Sequence, residues 1–135
     1  HHAALATPDL ERCVRFYRDL LGCEVAWEFG WPRGTPAADA ITGLADSAAR
    51  AVMLKLGGSF LEVFEFSSPA APGRRPVNAP GITHVAIEVR DLQGEYARLV
   101  AAGVEFHCPP QAQESGWVVY GRDPDGNVLE LIEYT

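Results

Sequence analysis

His84-Val-Ala-Ile-Glu-Val-Arg-Asp91-Leu92 decides the fold, because the chain contains it twice: His2-Ala-Ala-Leu-Ala-Thr-Pro-Asp9-Leu10 also sets a histidine seven residues ahead of an Asp-Leu pair. Each Asp-Leu opens a helical rhythm. Leu10, Cys13, Val14, Tyr17, Leu20 and Leu21 in the first copy, and Leu92, Tyr96, Leu99 and Val100 in the second, recur at i, i+3, i+4 and i+7. These patterns predict helices over about 8–21 and 91–102. Thr7 reads as an N-cap with Pro8 at the first helical position, Asp91 caps the second helix, and Gly22 and Gly103 sit where helices end.

A second matched pair lies further along each copy. Gly58-Ser-Phe-Leu-Glu62-Val-Phe-Glu65 and Gly126-Asn-Val-Leu-Glu130-Leu-Ile-Glu133 share the pattern G-x-x-L-E-x-x-E, and their apolar content marks strands. Strands are also expected at 23–30, 50–57, 104–107 and 117–122. The whole predicts one α+β domain over 1–135, built as a first βαβββ module (1–66), a Pro/Gly-rich linker (67–80) and a second βαβββ module (81–135). Residues 31–49 have no counterpart in the second copy and are expected to form a loop with a short helix near 36–44.

Side chains alternate along a strand, so Ala3, Leu5, Val85, Ile87 and Val89 oppose the histidines, and Leu61, Val63, Leu129 and Leu131 oppose the first glutamate of each motif. The aliphatics are expected under the helices. His2, Glu62, His84 and Glu130 then share the other side, which two mostly antiparallel, mixed sheets are expected to curve around as a cup. Two imidazoles and two carboxylates form a donor set suited to a divalent ion (Ni, Co, Mn, Fe, Mg or Zn). A closed structural zinc site usually includes cysteine, and none falls at a matching position. Two open positions on an octahedral ion take neighbouring oxygens of one small substrate and stabilise an enolate or enediolate, with Glu130 or Glu62 as the base.

Composition excludes other classes. The 135 residues carry a net charge of −7 and no Lys/Arg cluster longer than Arg74-Arg75, so nucleic acid is not an expected partner. No apolar run reaches the ~20 residues a membrane helix needs, and a cytoplasmic location is expected. Cys13, Cys23 and Cys108 are an odd number without C-x-x-C spacing and read as reduced thiols.

The residues that carry these patterns resemble the vicinal oxygen chelate superfamily, the group of glyoxalases, bleomycin resistance proteins and extradiol dioxygenases. They are His2 through Glu11, Phe16-Tyr17-Arg18-Asp19-Leu20-Leu21-Gly22, Gly81-Ile-Thr-His84-Val-Ala and Asp123-Pro-Asp-Gly-Asn-Val-Leu-Glu130-Leu. The resemblance implies paired βαβββ modules around one metal, with ligand positions at His2, Glu62, His84 and Glu130. A filled carboxylate position at Glu62 is similar to the glyoxalase I branch, which implies a metal-dependent lyase or isomerase acting on an α-oxygenated carbonyl compound, and a homodimer. The alternatives are an acyl-CoA epimerase of the methylmalonyl-CoA type, an extradiol-type dioxygenase, and a non-catalytic protein that sequesters an aromatic drug.

Further residues are candidates for substrate contacts: Phe60 and Phe64, which share parity with Glu62, and Trp31, Trp117, Tyr120 and Arg122. Trp27 and Phe29 alternate with Trp31 and read either as core or as a ligand-facing row. Glu88 shares parity with His84 and reads either as a supporting partner of the ligand set or as an alternative base. His107-Cys108-Pro-Pro reads as a bend.

Overall fold

A computed structural model describes residues 1–69, 73–74 and 80–135, and the chain divides into two units, His1–Gly73 and Arg74–Thr135. The expected linker 67–80 starts inside a strand, and most of it, including Arg75, lies outside the described residues. The first unit runs β1 (His2–Ala6), α1 (Leu10–Arg15, continuing as a wider π-helical segment Phe16–Leu20), β2 (Glu24–Trp31), α2 (Pro36–Thr42), β3 (Ala48–Leu56) and β4 (Ser59–Ser68). Its sheet has the order β1-β4-β3-β2, with β1 parallel to β4 and the other pairs antiparallel. The second unit runs β5 (His84–Glu88), α3 (Leu92–Ala101), β6 (Glu105–Phe106), β7 (Gln111–Gln113), β8 (Gly116–Arg122) and β9 (Val128–Tyr134). Its order is β5-β9-β8-β6, with β7 added beside β8 and β5 parallel to β9. The α+β class and the paired βαβββ order are therefore present.

Each core forms where the aliphatic side of the sheet meets its helix. In the first unit Val52, Leu54, Leu61 and Val63 are buried with Cys13 and Tyr17 of the helical segment. In the second, Leu129 and Leu131 are buried with Leu92 and Leu99 of α3. Helix ends follow local chemistry, with one correction. The first N-cap is Asp9, whose carboxylate accepts from the Arg12 N–H, while the Thr7 hydroxyl accepts from the Asp9 N–H instead. Asp91 caps α3 by accepting from the Gly94 N–H. Gly22 and Gly103 take positive φ after the helices, as C′ glycines do.

The structure also gives the second glutamate of G-x-x-L-E-x-x-E its purpose. Three residues after the first glutamate, it lies on the helix side of its strand. There Glu65 accepts from the Leu10 N–H at 2.7 Å, and Glu133 accepts from the Leu92 N–H at 3.0 Å. Each carboxylate satisfies a first-turn donor that no intrahelical carbonyl reaches, at the positive end of the helix dipole. Glu65 is also held by Arg50. Glu133→Ala removes the acceptor of an N–H on a fully buried residue, and should cost roughly 1–3 kcal/mol. Urea unfolding of Glu133→Ala and Glu133→Gln checks this: the midpoint should fall for alanine and recover largely with glutamine, which keeps an acceptor oxygen.

Cys13 and Cys23 are buried and Cys108 is exposed, and none of the three is joined in a disulfide. Burial pushes the Cys23 thiol up to about 11. Among the described residues no helix is long and apolar enough to cross a membrane.

Candidate functional site

The parallel pairing of first and last strand builds the same half-site in each unit. In the first, His2 lies opposite Phe60 and Ala4 opposite Glu62. In the second, His84 lies opposite Val128 and Ala86 opposite Glu130. The glutamate thus stands across from the residue two places beyond the histidine in both, and period-two alternation returns it to the histidine's side. His2 Nε2 is 3.4 Å from Glu62 Oε2, and His84 Nε2 is 3.0 Å from Glu130 Oε2. Both carboxylates are mostly shielded, with side-chain exposure of 13%, whereas the imidazoles keep 38% and 27%.

Those separations fit a shared cation. Two donors each ~2.1 Å from one ion stand about 3.0 Å apart at a right angle and about 3.4 Å apart at the tetrahedral angle. Each pair thus presents an imidazole nitrogen and a carboxylate oxygen at the spacing of adjacent ligands.

The second unit adds one neighbour that sequence reasoning missed, Thr83, and places three that it named. The Thr83 hydroxyl meets His84 Nδ1 at 2.8 Å, leaving Nε2 for the glutamate side. Such a partner fixes the orientation of a ligating imidazole. Nothing in the sequence marks Thr83 beyond its adjacency to His84. Tyr120 pairs directly across from Glu130, and its ring lies 4.9 Å from that of His84. Burial and then the Glu130 charge hold the phenol above its ordinary range, so it remains a donor at neutral pH. Arg122 is on this side too, but its guanidinium donates to His107 Nε2 at 2.9 Å and to the Gly126 carbonyl at 2.7 Å. Glu88 shares the side of His84 and is exposed.

Trp117 is corrected. It pairs with Glu133, which caps α3, and so lies on the helix side of β8. Three positions separate it from Tyr120, and an odd separation reverses the face.

The first unit places its rings on the Glu62 side. A bulge between Val25 and Trp27 shifts the β2 register by one, so that Trp27 rather than Ala26 meets Met53. Cross-strand rows then read Trp27, Met53, Glu62; Phe29, Ala51, Phe64; and Trp31, Ala49, Phe66. Phe60, opposite His2, packs its ring 5.5 Å from that of Trp27.

Comparison with known proteins agrees with this architecture. A family model described as Glyoxalase/Bleomycin resistance protein/Dioxygenase superfamily matches residues 1–131. The chain is 34% identical over 145 residues to a protein named 2-epi-5-epi-valiolone epimerase from an Actinomyces species, covering 98% of this chain and 77% of that one. It is 31% identical over 106 residues to the ethylmalonyl-CoA/methylmalonyl-CoA epimerase of Cereibacter sphaeroides, covering 76% and 69%. The crystal structure of a glyoxalase family protein from Bacillus cereus superposes with a TM-score of 0.84 at 23% identity, covering 98% and 91%, a likeness of fold.

Proposed function

The chain belongs to the Glyoxalase/Bleomycin resistance protein/Dioxygenase superfamily, and on that premise we propose that it is an epimerase-type isomerase of a small carbonyl compound, with His2, Glu62, His84 and Glu130 as the ligands of one divalent ion. The observation that carries this reading is the repetition of one half-site: an imidazole and a carboxylate, in the same strand register, at ligand spacing in both units. The names of the two curated relatives favour an isomerase over a lyase.

When bound, a divalent ion supplies Lewis acidity to the substrate's carbonyl oxygen and so acidifies the neighbouring C–H. The chain's own residues do the rest. A carboxylate oxygen of Glu130 or Glu62 accepts the proton from that carbon and a carboxylate returns one, so the step needs no oxidant and releases no leaving group. The Tyr120 phenol, protonated beside Glu130, donates a hydrogen bond to an oxygen of the substrate. Thr83 holds the His84 ring in place throughout.

Elemental analysis after reconstitution with Mn(II), Co(II) or Ni(II) should find one ion per chain. Incubation in deuterated water with 2-epi-5-epi-valiolone and with methylmalonyl-CoA should place deuterium beside the carbonyl of at least one of them. Two ions per chain, or none retained through dialysis, would overturn the shared-site reading, and absence of exchange would overturn the epimerase reading.

A further inference from the structure

The first unit carries rings that neither its core nor the ligand set accounts for. Trp27 and Phe29 remain 44% and 40% exposed on the Glu62 side of the sheet. Trp27 lies tilted against Phe60 of β4, Phe29 and Trp31 pack edgewise against Phe64 at 5.9 and 6.0 Å, and Phe64 stacks on Phe66 at 5.5 Å. Beneath them β3 contributes Ala49 and Ala51, both buried, and their small side chains let the rings of β2 and β4 meet across the middle strand. The result is an aromatic surface that begins in the cross-strand row of Glu62 and runs away from it.

Its far end is fixed by the segment the second unit lacks. Asp39 in α2 accepts from the Ser47 hydroxyl at 2.6 Å and the Ser47 N–H at 2.8 Å, and from the Asp46 N–H at 3.0 Å. The Trp31 indole N–H in turn donates to the Ser47 hydroxyl oxygen at 3.0 Å. The Asp39 carboxyl is held below its ordinary range by these donors. A ring fixed by such a chain loses little freedom when something settles on it. On the Glu130 side of the second unit stand Val118, Tyr120 and Arg122 of β8 and Val128, Ile132 and Tyr134 of β9, so among the described residues the continuous run of rings is a feature of the first unit.

Resting on the metal-site reading above, we propose that this surface selects the substrate class: a carbonyl compound oxygenated on the adjacent carbon and bearing a ring, whose flat face lies on Trp27 and Phe29, rather than an acyclic acyl chain. A substrate occupant is favoured by continuity, because Phe60 and Phe64 flank Glu62 on one strand and one side. Aromatic contacts and removal of ring surface from water both reward a flat apolar body there.

Mandelate and lactate isolate the effect, since they share an α-hydroxycarboxylate and differ in phenyl against methyl. Titrated into the Mn(II)-loaded protein and followed by tryptophan fluorescence, mandelate should bind roughly tenfold or more tightly than lactate. Trp27→Ala and Phe29→Ala should each erase most of that preference while leaving metal content and lactate affinity unchanged. Ser47→Ala, which touches no ring face, should weaken mandelate binding by a smaller factor. Equal affinities, or binding of neither acid, would overturn the proposal. So would a Trp27→Ala or Phe29→Ala variant that keeps the preference but changes mass in sedimentation, since the surface would then join two copies of the chain. Failure of the metal-site reading looks different: no ion is retained and lactate loses its anchor, whatever mandelate does.

Discussion

His84→Ala should release the divalent ion and abolish turnover while the protein stays folded. Its imidazole is one of the four proposed donors, and it touches Glu130 at 3.0 Å rather than the aliphatic core. Losing a donor removes much of the Lewis acidity that acidifies the substrate, which is worth several kcal/mol, so turnover should fall by about a thousandfold or more. His2→Ala should do the same, because both histidines are proposed donors to one ion. Retention of a full equivalent of metal by either variant, measured after dialysis, would separate that histidine from the site. Thr83→Val tests the support of His84: it removes the hydroxyl beside Nδ1 and keeps the side-chain shape. Metal affinity should drop roughly ten- to a hundredfold, with no loss of stability comparable to a core substitution.

Much of this arrangement was legible because the sequence states it twice. A histidine seven residues before Asp-Leu, matched by glycine four residues before a glutamate, fixes two helices, the strands around them and the parity of four side chains. Parity is a backbone property, so it survives without knowledge of packing. What escaped depends on contacts between distant segments. Glu65 and Glu133 are outside the ligand set, yet they are repeated because a helix 55 and 41 residues upstream needs an acceptor for its first-turn N–H. Asp9 displaces Thr7 as the N-cap because its carboxylate reaches the Arg12 N–H, and Pro8 falls before the helix. The bulge after Val25 leaves no local mark, and the alternation of Trp27, Phe29 and Trp31 alone does not say which side of the sheet they take. The side of Trp117 was legible: its odd separation from Tyr120 on one strand puts the two on opposite faces. The brace from Asp39 through Ser47 to Trp31 joins the two ends of the inserted segment, a closure that composition does not encode.

Leu129→Ala and Glu130→Ala should behave as opposites although the residues are neighbours. Leu129 is fully buried on the helix side of β9. Truncation there removes apolar surface and leaves a cavity in a small core, a loss of about 3 kcal/mol. Glu130 points the other way, toward His84, with only a shielded carboxylate to lose. Without metal, Glu130→Ala should change stability by less than about 1 kcal/mol, since a partly desolvated carboxylate contributes little net energy to folding. Activity should reverse the order. Leu129→Ala, assayed at low temperature where it stays folded, should keep its metal and most of its turnover, and Glu130→Ala should keep neither. The unfolding curves must be recorded with a chelator present, because an ion bound only to the native state would add its own binding energy and make Glu130→Ala look structurally damaging. A chelator-independent destabilisation of Glu130→Ala as large as that of Leu129→Ala would mean that Glu130 is a buried structural group, and the division of each strand into a core side and a chemical side would fail with it.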